Sequence, residues 1–486
     1  MNLGKNNYAN QFTVILLVAI FVNIVCYSLP DAIFGIQIKK VDLLSDIRNP
    51  SLLDTQLLSL SADNETGIQT LKDSMDISAN NAANIATNTG VNTADANNTI
   101  IANNTVKANN SADFDPDNKQ IEDFTSGHTG LSRFFSALNN IDILERPVRI
   151  AFVGDSFIEG DILVADFRAK MQEQFGGRGV GFVPIASVAE QYRPTIKQSS
   201  NGWKTYSIIK DRNRKYVISG VQFEPTSKNA TVRFQTVDMY PGLEEVSTLK
   251  IIYSKNDETE LLLKNEEETY TYKLPPTEIV TQFELAGQFK KGLLQFNNAI
   301  GLKMLGIALE DNSGVVVDNF SLRGNSGLIM SDLDSISCRD LQQIRPYDLI
   351  VLQYGLNVAS DSVSSYSWYR NRMVSVIKHI QNCFTGADIL ILSVSDRSRD
   401  GHSTMPAVVS LLQAQRQMAA SAEVTFWSVF AAMGGQNSMV KYVKSNWASK
   451  DYTHISFLGG KEIANALFDA LILEKCLYTD YETTVD

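Results

Sequence analysis

Five short runs of this sequence are apolar along most of their length rather than at alternate positions. They are Val148–Val153, Val315–Leu322, Asp348–Gln353, Asp388–Ser393 and Val424–Ser428, with helical patterns such as 163–175, 367–381 and 405–420 between them. A strand that is apolar on both sides must be covered on both sides. Helices give that cover when the strands run parallel, because a parallel pair needs a long crossover connection. The alternation therefore predicts an α/β domain built on a parallel sheet with helices on both faces.

The interval between the first two strands has a different texture. Tyr216–Phe223, Ala230–Gln235, Thr248–Tyr253, Thr269–Lys273 and Gly292–Phe296 have a strand-like period of two and are closely spaced. That pattern predicts an antiparallel sandwich or jelly roll inserted into the first domain. The expected layout is an α/β domain at 131–187 and 314–486, interrupted by a β domain at 188–313. A chain of 486 residues is long enough for both, with a sizeable core in each.

The amino-terminal part belongs to neither. After a short tail (1–11), Phe12–Leu29 is an apolar run of 18 residues, close to the minimum for a membrane span. No A-x-A pattern follows it, and Val25 before Cys26 does not suit a lipidation site. We read an uncleaved transmembrane anchor in preference to a cleaved signal peptide. Either reading puts the rest of the chain outside the cytoplasm, in the cell envelope (periplasmic) or secreted. Residues 30–130 read as a mostly disordered linker; between Asn80 and Asn110, eleven of 31 residues are Asn. It would tether the folded part at a distance from the membrane.

Composition narrows the partners. A net charge of −11 argues against a nucleic-acid backbone binder and fits a neutral or weakly charged substrate. Cys26, Cys338, Cys383 and Cys476 form no CxxC pair, so no metal site is expected. With four histidines (His128, His379, His402 and His454), any imidazole chemistry has few candidates.

Ligands of an open α/β sheet bind beyond the carboxyl ends of its strands. Ser156 follows the first strand there, in Gly154-Asp155-Ser156-Phe157. Gly324 follows the second, and its backbone N–H can approach an anionic oxygen closely. Asn357 follows the third, in Gly355-Leu356-Asn357, with an amide able to donate to the same oxygen. Near the carboxyl terminus stands Asp451-Tyr452-Thr453-His454. An Asp three residues before a His can bond one ring nitrogen and leave the other free to take a proton from a serine.

Taken in order, these four blocks resemble those of the SGNH (GDSL-type) hydrolases. The β domain inserted after the first block resembles the peptidoglycan or polysaccharide O-acetylesterase type within that superfamily. The resemblance implies a flavodoxin-like sheet, Ser156 as nucleophile, His454 as base and Asp451 as its orienter. It further implies an oxyanion hole made by the Ser156 and Gly324 N–H groups and the Asn357 side chain. Two departures stand out: Val358 follows Asn357 where the family often has Asp, and Gly327 competes with Gly324 for the second block. We take Gly324, which sits at the matching distance from its strand.

The expected activity is that of a serine esterase removing O-acetyl groups from a cell-envelope or other polysaccharide, without metal or organic cofactor. A lipase or thioesterase, a polysaccharide O-acetyltransferase and a non-catalytic glycan-binding envelope protein are the alternatives. Arg397 and His402, on the loop after the fourth strand, are candidate substrate contacts. Glu159 and Asp161 read as carboxylates at a helix start. Trp203, Tyr206 and Trp368 read as core aromatics ahead of sugar platforms, and His379 as structural.

Overall fold

The structure, a computed structural model, describes residues 115–265, 268–363 and 365–485, together with 32–33 and 36–37. The apolar segment 12–29 and most of the linker lie outside the described residues. Among the described residues no helix is long and apolar enough to cross a membrane. The chain divides into two units, Met1–Lys107 and Ala108–Asp486. In the first, Ala32–Ile33 pairs antiparallel with Ile36–Gln37. The second holds both the α/β sheet and the sandwich.

The α/β sheet contains β1 (Val148–Gly154), β2 (Val315–Ser321), β3 (Leu349–Gln353), β4 (Asp388–Leu392) and β5 (Thr425–Trp427). Their order across the sheet is 2-1-3-4-5, and every pair is parallel. That is the flavodoxin-like order. All residues of β1, β3, β4 and β5 are buried, as their continuous apolar character requires. The covering helices include α1 (Val164–Phe175), α2 (Ser335–Ile344), α3 (Ser367–Cys383), α4 (Pro406–Ala422) and α5 (Phe457–Val485).

Register places the site. Gly154 at the end of β1 stands opposite Ser321 of β2 and Gln353 of β3, and Gln353 stands opposite Leu392 of β4. Four strands therefore end level, and the loops that follow them emerge at one rim. The chain leaves β1 for a neighbour on one side and later adds β3 on the other, so the rim at β1 is the switch point of the topology.

Residues 181–310 build two antiparallel sheets. One runs 281–289, 246–255, 303–310, 221–225, 203–207; the other runs 269–273, 260–264, 291–297, 229–235, 197–201. Alternate residues such as Val232, Phe234, Leu294 and Phe296 meet Leu249, Ile251 and Ile307 between the sheets. The first sheet also packs on the α/β domain, with Phe182 against Phe320 at 5.0 Å between ring centroids. Beside that contact the buried Glu310 carboxylate is held by Arg149 and Arg345, each at 2.7 Å, and by Lys250 at 3.0 Å. Removing one member of such a cluster would leave a buried charge uncompensated.

Two boundaries differ from the sequence reading. Gly181–Val183, expected in the α/β part (131–187), pairs antiparallel with strand 303–310. Within the stretch read as linker (30–130), Ile121 is buried and Glu122–Asp123 pairs antiparallel with β5. Trp427 Nε1 donates to the Lys119 carbonyl at 3.0 Å. The edge of β5 has unpaired backbone groups, and this short strand covers them.

Candidate active site

Ser156 sits in the turn directly after β1. The Asp155 carboxylate accepts the Phe157 N–H at 2.8 Å and fixes the turn. Burial pushes the Asp155 carboxyl up to about 7, against the opposing pull of the Phe157 N–H, the His454 charge and the Asn357 amide. Helix α1 starts only at Val164; a short 3-10 turn, Glu159–Asp161, intervenes.

Glu159 and Asp161 thus open this short 3-10 turn and not α1, and their carboxylates bond distant side chains. Asp161 is fully buried and has a left-handed φ of 65°. It accepts from Thr195 at 2.5 Å, Asn319 at 2.7 Å, and Arg168 and Arg193 at 3.1 Å. Burial alone would raise its carboxyl, but the two arginines and the hydroxyl and amide donors hold it well below the usual carboxylate range. Asn319 also donates to the Ile158 carbonyl at 2.8 Å. The Ser156 loop is thereby pinned to β2, to α1 and to the leading segment of the inserted domain.

Gly324 has φ 76° and open space where a Cβ would stand. Gly327, the competing residue, has its N–H bonded to Asn325 Oδ1 at 2.8 Å and is packed under Tyr354 and Met373. Among the described residues the N–H groups of Ser156 and Gly324 have no hydrogen-bond partner. Asn357 Nδ2 donates to Asp155 Oδ2 and to the Asn325 carbonyl, both at 3.1 Å. Its amide therefore ties the first, second and third loops of the rim together.

Asp451 and His454 lie in the turn before α5. Asp451 Oδ2 is 2.7 Å from His454 Nδ1, and Asp451 Oδ1 accepts the His454 N–H at 3.0 Å. Partial burial raises the Asp451 carboxyl, but the His454 ring bond and the N–H groups of His454 and Thr453 outweigh it and hold it low. Helix α5, which follows the turn, abuts the chain just after the Ser156 loop. Gly460, six residues after His454, meets the Ile162 carbonyl so closely that a Cβ there would stand 2.0 Å from the oxygen. The His454 charge reaches Asp155, next to Ser156. Among the described residues no hydrogen bond joins Ser156 Oγ to the His454 ring.

Arg397 follows β4 onto the same rim. Its Nη1 lies 3.4 Å from the Leu356 carbonyl and 3.5 Å from that of Ala359, while its buried Nε has no partner among the described residues. Burial and the charge of Arg399 lower its pKa, with Asp361 and Asp451 opposing. His402 is exposed, and its N–H serves the loop by donating to Asp400 at 2.8 Å. Trp203 bonds the Thr231 carbonyl and packs edge-on against Phe296, a sandwich contact. The Tyr206 ring lies under Lys204 and Arg214. Trp368 is half exposed, edge-on to Tyr369. His379 bonds the Leu333 carbonyl at 3.0 Å.

No protein-family model matches the sequence, and no curated protein does. Solved structures do match. One described as a peptidoglycan O-acetylesterase in action superposes with a TM-score of 0.60 at 20% identity, covering 73% of this chain and 99% of that one. The chain shares that esterase's fold. It is a flavodoxin-like α/β sheet carrying an inserted β-sandwich. A putative GDSL-like lipase from Parabacteroides merdae (17% identity, TM-score 0.27, 32% of this chain and 72% of that one) also matches. So does a family two carbohydrate esterase from Clostridium thermocellum with cellohexaose (10%, 0.26, 57% and 100%). At those TM-scores neither adds to the fold argument.

Proposed function

We propose that this chain is a serine esterase that removes O-acetyl groups from a polysaccharide of the cell envelope. The observation that carries the reading is the rim itself. It holds a serine turn, two backbone N–H groups with no partner among the described residues and an Asp–His pair at 2.7 Å. His454 Nδ1–H bonds Asp451, which leaves Nε2 to accept the Ser156 proton as Oγ attacks the ester carbonyl. The tetrahedral oxygen takes the Ser156 and Gly324 N–H groups and a share of the Asn357 amide. His454 then protonates the leaving sugar oxygen, and water hydrolyses the acetyl-serine by the reverse path. In support, a solved structure superposing at a TM-score of 0.60 is described as a peptidoglycan O-acetylesterase. The segment 12–29 would anchor the chain, and the Asn-rich linker would give it reach. Carbonate extraction of membranes tests that placement: an anchored chain stays with the membrane pellet.

The direct test compares the full chain with Ser156→Ala on p-nitrophenyl acetate, a long-chain ester and an O-acetylated glycan. Loss of acetate release in the variant is expected. Equal turnover by both proteins would end the serine-esterase reading. Preference for the long chain would make the protein a lipase, and acetyl transfer to an added glycan outpacing release would make it a transferase.

A further inference from the structure

The two backbone donors of the proposed oxyanion hole come from different loops, and something must set the distance between them. Within each loop the bonds are local. The Glu159 N–H bonds the Ser156 carbonyl at 3.3 Å, and the Asn325 N–H bonds the Leu322 carbonyl at 3.1 Å. Across the loops runs a set of bonds centred on one carboxylate oxygen. Glu159 Oε2 accepts from Arg323 Nε at 3.0 Å, from Arg323 Nη2, and from the Tyr192 hydroxyl at 2.5 Å. Arg323 Nη2 also reaches the Tyr192 oxygen at 3.1 Å. Glu159 is three residues from Ser156, and Arg323 is the neighbour of Gly324. Tyr192 comes from the inserted domain, and its ring lies over Gly160, where a Cβ would be 2.7 Å from it.

We infer that Glu159, Arg323 and Tyr192 form a clamp that fixes the separation of the Ser156 and Gly324 N–H groups, making Arg323 and Glu159 positioning residues for the oxyanion hole. This rests on the reading of Ser156 and Gly324 as oxyanion donors. An exposed ion pair alone would carry little weight. Here the Glu159 side chain is 7% exposed and the Arg323 side chain 63%. The carboxylate is buried, and Arg323 is the cation bonded to it. Without Arg323 its remaining donor among the described residues is the neutral Tyr192 hydroxyl, so the loop must shift or open to water. Displacement by about 1 Å near a reacting centre can cost about a hundredfold in rate, and a donor lost outright costs about 10²- to 10³-fold in kcat. Arg323 is also placed where it could touch substrate directly, and the two roles separate by substrate size.

The test measures kcat and KM of the full chain for p-nitrophenyl acetate, which is too small to reach past the reacting centre, and for an O-acetylated glycan. The proteins compared are wild type, Arg323→Ala, Arg323→Lys and Ser156→Ala. The clamp predicts that Arg323→Ala lowers kcat on the small ester by about 10- to 100-fold with KM nearly unchanged. Arg323→Lys should recover part of the loss. Inhibition by an alkylboronic acid, whose serine adduct places a negative oxygen in the same hole, should weaken in step with kcat. Should Arg323→Ala fail to fold, Arg323→Lys and Tyr192→Phe take its place, with kcat expected to fall in both. Wild-type kcat on the small ester, with or without a raised KM on the glycan, overturns the clamp. That result is distinct from failure of the esterase reading, which shows as equal turnover by wild type and Ser156→Ala.

Discussion

The two sides of the rim are built on opposite principles. On the Ser156 side, the loop after β1 is fixed by Asp161, a fully buried carboxylate with four side-chain donors drawn from α1, β2 and the inserted domain. On the other side, Asp451 and His454 are each 49% exposed, and their mutual bonds are made within a four-residue turn. That turn is steadied by a left-handed Tyr452 (φ 54°), by Ser398 N–H on the Tyr452 carbonyl at 3.1 Å and by Ser449 N–H on the His454 carbonyl at 2.7 Å. The serine's position is thus a property of the whole fold, whereas the imidazole's is a property of a turn. Side-chain changes on the first side should register as stability, and on the second as activity alone.

The largest expected effect tests the exposed side. In His454→Ala we expect kcat/KM for p-nitrophenyl acetate to fall by about 10³-fold or more, since the base proposed for Ser156 is gone. The unfolding free energy should move by less than about 0.5 kcal/mol, as for an exposed side chain with local bonds. A denaturation curve displaced by several kcal/mol would break the contrast.

The mirror experiment is Asp161→Asn. Four donors, two of them arginines, would face a neutral amide, and buried cations without their anion are costly. Breaking a buried pair by removing one partner costs about 3–5 kcal/mol, and denaturant unfolding should show a loss of that order. Turnover should fall as well, because the serine loop loses its pin. A variant as stable as wild type would mean that the loop is held by its backbone and not by this carboxylate.

The same contrast explains what could be read from the sequence. Asp451-x-x-His454 is self-contained, so its spacing already specified the bond between the two side chains. The continuous apolar runs specified the parallel sheet because burial on both faces leaves a strand no other composition. The alternation at 188–313 specified the sandwich for the complementary reason. The sequence places Glu159 and Asp161 at a helix start but hides their partners, which stand far along the chain: Arg323 is 164 residues from Glu159, and Asn319 is 158 from Asp161. A carboxylate's neighbours in sequence say nothing of a partner supplied by another strand. Arg193 and Thr195 carried no signal, since they sit in the connection into the inserted domain. The sequence offers Asn357 as an oxyanion donor, but its bonds to Asp155 and to the Asn325 carbonyl depend on the register of three strands.

The smallest expected effect concerns the sheet's two ends. Asp155, past the carboxyl end of β1, and Asp388, at the amino end of β4, are both pushed up to about 7, each by burial first. Unfolded, such a carboxyl releases its proton near 3.9. Between roughly pH 4 and pH 7 the folded state therefore binds more protons than the unfolded one, and stability must fall as pH rises through that window. Asp388 lies at the end of the sheet away from the rim, and its Oδ2 accepts the Phe134 N–H at 2.9 Å, a bond that an amide oxygen can also accept. In Asp388→Asn the proton-linked term disappears while the hydrogen bond survives. The variant's unfolding midpoint should decline less than the wild type's between pH 5 and pH 8, with kcat unchanged at either pH. Identical slopes in the two proteins would mean that Asp388 is already ionised in the fold well below pH 7, its carboxyl not raised by burial. Asp155→Asn should flatten the same slope and also lower kcat, because the carboxylate that accepts from Asn357 is at the rim. Loss of activity in one variant and not the other would separate the end of the sheet that holds the chemistry from the end that only holds the fold.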